Sequence, residues 1–172
     1  KMSRLRQTVA RRMVDSLQTG AQLTTIFEVD VTKVAELRAA YKDKFQEVHG
    51  TKLTFLPFFV KAVIEALQAH PKLNAVINDR QVTYHDHENI GIAVDAPQGL
   101  MVPVIKNAGD LSIAGIAEAI NNLAAKVREG KISPDDITGS TFTITNTGDR
   151  AGAEAAQVYL TLPDEAGQPA KR

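Results

Sequence analysis

The stretch from Asn89 to Asn107 constrains the fold more than any other part of the chain. It reads N-I-G-I-A-V-D-A-P-Q-G-L-M-V-P-V-I-K-N, with two apolar runs around the turn-forming sequence D-A-P-Q-G. Proline fixes φ in such a turn, and glycine permits a positive φ. The stretch therefore predicts two antiparallel strands joined by a short loop. Pro103 has no backbone N–H, so we expect the second strand at a sheet edge or beside a break in pairing.

Helical and strand patterns lie on both sides of this pair. Four segments carry apolar residues at helical spacing, and Ser3 is placed to cap the first of them. The predicted helices cover residues 3–18, 32–45, 54–67 and 113–128. Strands are predicted over residues 21–31, 82–85 and 140–146, and within 154–162. Residues 72–78 are predicted to form a short strand or a turn. This mixture predicts an α/β (α+β) fold class.

The third predicted helix is apolar on nearly all sides, so we expect it at the centre of the core. Thr54 is the expected N-cap of this helix. Its buried residues are expected to pack against the strand that begins at Ile90. They are Phe58, Phe59, Val63 and Leu67. On this interpretation, truncating Phe59 to alanine costs roughly 3–5 kcal/mol of stability.

The composition excludes several classes of protein. Twenty basic and twenty acidic residues give a net charge of zero, which offers no general case for a nucleic-acid or anionic-membrane partner. The most apolar run, residues 53–67, is too short to span a membrane. The chain has no cysteine, which excludes a disulfide framework, a thiolate zinc site and a cysteine nucleophile.

The residues alone do not indicate a nucleophile–base pair or a metal site. His85 and His87 stand two apart and would face the same side of a strand, but no third metal ligand accompanies them. Their acidic neighbours favour surface histidines, so no metal is predicted. Arginines at positions 4, 6, 11 and 12 are compatible with a solvated basic helix face or with an anion site for a phosphorylated ligand.

Five segments together resemble the catalytic domain of the dihydrolipoamide acyltransferases, the core component of 2-oxoacid dehydrogenase complexes. They are KMSRLRQTVARRM, LTFLPFFVKAVIEAL, HPKLNA, NIGIAVDAPQGLMVPVIKN and GSTFTITNTG, in the family's order within residues 1–148. The resemblance implies a chloramphenicol-acetyltransferase-like two-layer sandwich with a mixed sheet flanked by helices. It also implies assembly into trimers and then larger shells.

The same resemblance implies acyl transfer, of an acetyl, succinyl or branched-chain group, between lipoyl-lysine and coenzyme A. The implied partners are an acyl-lipoyl domain and the other components of the complex, in the bacterial cytoplasm. Thr145 would donate a hydrogen bond to the tetrahedral oxyanion. Ser3, Arg4 and Arg6 would lie near coenzyme A, where arginine can pair with phosphate.

The chain departs from the family's pattern in its catalytic base. That base is a histidine in an H-x-x-x-D-G motif near the C-terminus of the family's domain. The chain has four histidines, and none of them begins such a motif: His49, His70, His85 and His87. The family also continues through several further strands after T-N-T-G. We therefore expect a catalytic domain that is truncated at its C-terminus, inactive by itself and unable to close the family's trimer.

The tail is expected to differ in origin from residues 1–148. From about residue 141 to 172 it resembles part of the fibronectin type III-like domain of bacterial β-glucosidases, which shares the sequence T-N-T-G. Residues 149–172 are therefore predicted to be a short heterologous segment, partly loop or disordered. Three functions stay open: an acyltransferase domain, a non-catalytic scaffold or chimeric fragment, and a piece of a carbohydrate-active enzyme.

Overall fold

A computed structural model describes residues 2–78, 80–96, 99–146 and 158–161. The helices are α1 (Arg4–Thr19), α2 (Thr32–His49), α3 (Leu56–Ala69) and α4 (Ile113–Arg128). The strands are β1 (Ala75–Asn78), β2 (Gln81–Tyr84), β3 (Ile90–Ile92), β4 (Val94–Ala96), β5 (Gly99–Met101), β6 (Val104–Ile105), β7 (Phe142–Asn146) and β8 (Val158–Thr161). The predicted mixed α/β class is confirmed, and β8 lies within the predicted strand region of the tail.

A four-stranded mixed sheet with the order β6–β3–β7–β8 organises the fold. Strand β3 runs antiparallel to β6 and parallel to β7, and β8 runs antiparallel to β7. Parallel neighbours need a crossover connection, and α4 lies in the segment that connects β3 to β7. Strand β7 is therefore an inner strand, bonded to a neighbour on each side.

The predicted antiparallel pair is present, but it is divided into two parts. Next to the turn, β4 pairs with β5, and further from the turn β3 pairs with β6 in the main sheet. Pro103 lies between β5 and β6, where its carbonyl accepts a hydrogen bond from the Ile92 N–H at 2.9 Å. Both expectations for this proline are confirmed, because it marks the break in pairing and β6 is an edge strand.

The main core lies between the sheet and helices α3 and α4. Its buried members are Val60, Ile64, Leu67, Ile90, Ile92, Ile105, Ala108, Ile116, Phe142 and Ile144. The predicted burial of Leu67 is confirmed, whereas Phe58 and Phe59 are only half-buried and lie outside this cluster. Val63 is also half-buried, although it packs against the core. The side of the helix that faces the sheet is therefore turned from the predicted one towards Val60 and Ile64.

Side-chain caps define the starts of two helices. The Ser3 Oγ accepts a hydrogen bond from the Arg6 N–H, and the Ser112 Oγ accepts one from the Gly115 N–H. The N-cap residue of α2 is Val31, which makes no side-chain capping bond, although the Asp30 carboxylate before it accepts from the Thr32 N–H at 2.8 Å. The prediction that Thr54 caps α3 is wrong, because the N-cap residue is Phe55, which makes no side-chain capping bond.

The prediction of a strand over residues 21–31 is wrong for the isolated chain. These residues form neither helix nor strand; Leu23, Ile26, Phe27 and Val29 are exposed, whereas Val31 is half-buried. A strand needs the edge of another strand to pair its backbone groups, and this segment has no such neighbour within the described residues. Helices α1 and α2 also contribute no fully buried side chain among those described.

The two-stranded hairpin of β1 and β2 is close to its prediction. Asn78 pairs with Gln81, which gives the predicted tight reversal between the two strands. The structure assigns a 3₁₀ turn to Pro71–Leu73, so the first strand is shorter than the predicted 72–78. Strand β2 begins and ends one residue before the predicted 82–85.

Candidate functional site

Strand β7 divides its side chains between the core and the opposite face of the sheet. Phe142 and Ile144 are buried in the main core. Because neighbouring side chains alternate along a strand, Thr143 and Thr145 lie on the other face. Both threonines are half-buried. We call this side of the sheet, with Gly91, Ser140, Thr143 and Thr145, the hydroxyl face.

The backbone around Thr145 is held on both sides by hydrogen-bonded strands. Thr145 is in register with Tyr159 of β8, and the Ala93 N–H donates to the Ile144 carbonyl at 3.3 Å. The Thr145 hydroxyl makes no hydrogen bond to another described side chain or backbone group. A donor on a paired inner strand is preorganised, which is what stabilisation of a developing negative charge requires.

Gly91 allows the hydroxyl face to form. A β-carbon at this position would lie 2.9 Å from the Ser140 Oγ and 2.9 Å from the Val102 Cγ1. The Ser140 hydroxyl donates to the Phe142 carbonyl at 2.9 Å and lies 3.5 Å from the Thr143 Oγ1. Any other residue at position 91 would therefore displace the groups beside Thr143. Sequence reasoning missed this role, although a glycine between two core isoleucines was a visible signal.

Asn89 joins three segments at the end of the sheet where β3 and β7 begin. Its side chain accepts from the Asn107 N–H at 2.8 Å and donates to the Gly139 carbonyl at 2.8 Å. Its own carbonyl accepts from the Thr141 N–H at 2.8 Å. The residue is buried, so these bonds hold the approach to both strands in register. Nothing in the sequence distinguished Asn89 from a surface asparagine.

The predicted coenzyme A residues are all at the N-cap or in the first turn of α1. Ser3, Arg4 and Arg6 lie at the start of α1 and are exposed. The Ser3 hydroxyl oxygen is used as the helix cap. Among the described residues, no hydrogen bond or ion pair joins these three side chains to β7. Their part in binding coenzyme A remains a prediction.

The paired histidines of the sequence lie just beyond β2. The His87 Nδ1 is 2.6 Å from the Asp86 Oδ1, and the two histidine rings are 6.0 Å apart. The hydrogen bond with His87 holds the pKa of the Asp86 carboxyl below its ordinary value, and burial lowers the pKa of His85. Within the described ranges, no group of three or more potential ligands could hold a metal ion.

The strand register of the sheet does not bring His85 or His87 next to Thr145. Parallel pairing places Ile90 opposite Phe142, so His87, which precedes β3, lies near the start of β7. Thr145 lies towards the other end of β7. The remaining histidines are at helix ends, with the His49 Nδ1 3.2 Å from the Glu118 Oε1 and His70 following α3. His49, which the sequence suggests lies in a loop beside Gly50, is instead the last residue of α2.

A polar cavity of about 330 Å³ opens beside His87. Its lining residues are Gln68, Asp86, His87, Glu88, Asn107, Gly109 and Asp110. Ligand pockets are usually lined mainly by apolar and aromatic side chains, and this cavity is not. It also lies near the start of β7, so it is separate from the hydroxyl face at Thr145.

Comparison with known families identifies the class of protein to which this chain belongs. The family model for the 2-oxoacid dehydrogenases acyltransferase (catalytic domain) matches residues 1–166. The chain belongs to this family. The predicted resemblance of residues 1–148 is thereby confirmed, and the match extends into the tail.

Curated relatives agree with this family. The chain is 54% identical over 150 residues to the dihydrolipoyllysine-residue acetyltransferase component of the pyruvate dehydrogenase complex of Mycobacterium bovis, covering 86% of the chain and 27% of the relative. It is 49% identical over 169 residues to the same component of Corynebacterium glutamicum, covering 97% and 25%. It is also 51% identical over 148 residues to the succinyltransferase component of the 2-oxoglutarate dehydrogenase complex of Rickettsia typhi, covering 86% and 37%. The chain thus spans about a quarter to just over a third of these relatives.

Solved structures share the fold. A probable dihydrolipoamide acetyltransferase of Listeria monocytogenes superposes with a TM-score of 0.85 at 39% identity, covering 91% of this chain and 67% of that one. The Azotobacter vinelandii dihydrolipoamide acetyltransferase gives 0.79 at 26% identity, covering 93% and 77%; that structure was used to study a serine, a histidine and an asparagine in the catalytic mechanism. The cubic core of the pyruvate dehydrogenase multienzyme complex gives the same values.

No helix among the described residues is both long enough and apolar enough to cross a membrane.

Proposed function

We propose that this chain is built for acyl transfer between lipoyl-lysine and coenzyme A, with Thr145 as the oxyanion donor. The observation that carries the proposal is the Thr145 hydroxyl, which lies outside the core on an inner strand and has no partner within the described residues. The tetrahedral intermediate of acyl transfer carries a negative oxygen, and one preorganised donor is worth roughly 10²–10³-fold in rate.

The other half of the chemistry is a base for the attacking thiol. That thiol must lose its proton as it adds to the thioester, and a positioned base typically contributes roughly 10²–10⁴-fold. No histidine of this chain begins an H-x-x-x-D-G motif, and the four that are present have surroundings of their own. We therefore expect the chain by itself to lack family-like turnover. In that state it is a non-catalytic scaffold, which is the second candidate function.

The acyl group and the partners follow from the relatives. Acetyltransferase and succinyltransferase components match at 54% and 51% identity, so sequence identity does not select between an acetyl and a succinyl group. A branched-chain acyl group stays open as well. The proposed partners are an acyl-lipoyl domain and the other components of a 2-oxoacid dehydrogenase complex, in the cytoplasm. Ser3, Arg4 and Arg6 are proposed to contact coenzyme A, and the family's trimer remains a prediction for this chain.

We propose that the tail is part of the same domain as the rest of the chain and not a segment of another protein. The family model extends through residue 166, and the Corynebacterium glutamicum relative aligns with 97% of the chain. Strand β8 of the tail also pairs with β7. The domain boundary at residue 148, the chimeric origin and the fibronectin type III-like resemblance therefore have weaker support. The carbohydrate-active alternative depends on that resemblance alone.

An acyl-transfer assay tests the expectation that the chain by itself lacks family-like turnover. Purified chain is mixed with dihydrolipoamide and acetyl- or succinyl-coenzyme A, and formation of the lipoyl thioester is followed. We expect a background rate that is unchanged by Thr145→Ala and by single glutamine substitutions of the four histidines. Turnover within about tenfold of an intact homologue, abolished by one of these five changes, would contradict the missing base.

The acyltransferase assignment itself needs a test that does not depend on the base of this chain. The Thr145→Ala change can be made at the matching threonine or serine of an intact homologue from the same family. A loss of roughly 10²–10³-fold in kcat is expected if the hydroxyl supports the oxyanion. An unchanged kcat would remove Thr145 from the proposed mechanism.

A further inference from the structure

The neighbour of Thr145 on the adjoining strand is Ala93. Ile92 is in register with Ile144, so the next residues along these two parallel strands, Ala93 and Thr145, lie side by side. The Ala93 N–H donates to the Ile144 carbonyl at 3.3 Å, in agreement with this register. Neighbouring strands in a sheet are about 5 Å apart, which is the distance between adjacent side chains on one face.

The alternation of side chains places Ala93 on the hydroxyl face. Ile92 belongs to the main core, and Val94 belongs to a smaller buried cluster with Ala124 and Val127 of α4. Both side chains therefore point to the helix side of the sheet, and Ala93 between them points to the opposite face. Ala93 is half-buried there, with its methyl group beside Thr145.

Val102 continues the row on the far side of Ala93. The antiparallel register of β3 with β6 is continuous with that of β4 with β5, which places Val102 beside Ala93. The hydrogen bond from the Ile92 N–H to the Pro103 carbonyl lies between these two pairings. A β-carbon at Gly91 would lie 2.9 Å from the Val102 Cγ1, so the Val102 side chain is on the hydroxyl face. Thr145, Ala93 and Val102 thus form one row across this face.

We propose that Ala93 and Val102 form the floor on which the acyl group of the thioester lies, and that Ala93 limits the size of that group. This inference rests on the proposed function, since it takes the Thr145 hydroxyl as the donor to the thioester carbonyl oxygen. A hydrogen bond of about 2.8 Å from that hydroxyl holds the carbonyl beside the row. The acyl chain is bonded to the same carbonyl carbon, so a chain directed towards β3 contacts the Ala93 methyl group first and Val102 next.

An apolar floor favours an uncharged acyl group. Burial of apolar surface against methyl groups is favourable, whereas a carboxylate that leaves water without a partner is penalised. Neither Ala93 nor Val102 can pair with the carboxylate of a succinyl group. The Lys106 Nζ donates to the carbonyl of Thr138, just before β7 begins, while Thr145 lies near the other end of that strand. The row therefore fits a short, uncharged group such as acetyl better than it fits succinyl.

Methyl NMR of the full chain, with labelled alanine, valine and threonine methyl groups, tests the contact. The probe is S-acetyldihydrolipoamide, and the comparator is dihydrolipoamide, which lacks the acyl group. We expect the methyl signals of Ala93, Val102 and Thr145 to shift with the probe, and those of Ala93 and Val102 to shift far less with the comparator. Ala125 is the matched control, because it is exposed on α4, on the opposite side of the sheet.

Substitution at position 93 tests the size limit. Ala93→Val is expected to weaken binding of S-acetyldihydrolipoamide at least about tenfold and to leave binding of dihydrolipoamide unchanged, because the added methyl groups occupy the space of the acyl chain. Ala125→Val is expected to change neither affinity. Ala93→Gly is the second variant, and it is expected to improve binding of the isobutyryl thioester relative to the acetyl thioester at least about tenfold. Circular dichroism checks that the variants keep the fold.

Two results would overturn the inference and leave the proposed function standing. One is a shift of the Thr145 methyl signal with the acetylated probe and no shift at Ala93 or Val102. The other is equal weakening of both probes by Ala93→Val, which would be an effect on the fold and not on the acyl group. If no methyl group of the row responds to either probe, Thr145 is not at a thioester site, and the proposed function fails together with this inference.

Discussion

Asn89 is the residue on which the alignment of β3 and β7 most depends. Asn89→Ala would leave the Asn107 N–H and the Gly139 carbonyl without their partner. A buried polar group that loses its hydrogen bond costs roughly 1–3 kcal/mol. We expect urea unfolding of Asn89→Ala to show a loss of stability in that range, or up to twice that range if both groups stay unpaired. Asn122→Ala, at an exposed position of α4, is expected to stay within about 0.5 kcal/mol of the parent chain.

The Asp136 carboxylate predicts a pH dependence of stability. Hydrogen bonds from the Lys126 Nζ at 2.8 Å, and from the Ser133 N–H and hydroxyl, hold its pKa well below the ordinary value of 3.8. As the pH falls, Asp136 of the unfolded chain therefore binds its proton at a higher pH than Asp136 of the folded chain. The stabilisation is fully present above about pH 5 and declines below about pH 4.

Asp136→Asn tests that sign. In urea unfolding, the advantage of the parent chain over this variant is expected to be largest near pH 6.5 and to shrink towards pH 3. Asp135→Asn is the control, because no described hydrogen bond holds the Asp135 side chain. A stability difference between the parent chain and the Asp136→Asn variant that stays constant over this range would show that the carboxylate is not held in the folded state.

Single residues were predictable where a local pattern determines them. Ser3 caps its helix as expected, because capping depends on a few neighbouring residues. The strand predicted over residues 140–146 is present as β7, and the alternation in T-F-T-I-T-N places Phe142 and Ile144 on the core side. Asn89 and Gly91 could not be predicted in the same way, since their roles depend on segments some 50 residues away in sequence, at Gly139 and Ser140.

Helix α3 supplies the prediction at the scale of an element. Its buried side chains Val60 and Ile64 follow helical spacing, and Ile64→Ala is expected to cost about 2–5 kcal/mol. Phe59→Ala is expected to cost less than Ile64→Ala, because Phe59 is half-buried and lies outside the core cluster. Urea unfolding of the two variants decides the ranking. A larger loss for Phe59 would mean that α3 is rotated about its axis.

The sequence left the orientation of α3 open for a physical reason. A helix that is apolar on nearly all sides has no polar face to exclude from the core, so several rotations are compatible with its pattern. The segment over residues 21–31 shows a related limit. Its alternation indicates a strand, but pairing depends on an edge that the sequence of the segment does not contain. Elements with both a clear face and local caps, such as α4, were predicted closely.

At the scale of the whole molecule, the class of fold was predictable and the strand order was not. Helices and strands in this arrangement indicated a mixed α/β domain, and the resemblance implied the family that the comparisons show. The parallel pairing of β3 with β7 joins residues about 50 positions apart, and no local pattern specifies such a partner. That pairing makes β7 an inner strand, so the candidate site depends on the least local feature of the fold.

The proposed role of Thr145 requires that β7 turns one face to the core and the other away from it. Paired urea unfolding of Ile144→Ala and Thr145→Ala measures this division most directly. Ile144 is fully buried, so its truncation is expected to cost about 2–5 kcal/mol, whereas Thr145→Ala is expected to cost less than about 1 kcal/mol. Equal losses, or a larger loss at Thr145, would place that threonine in the core and remove it from the candidate site.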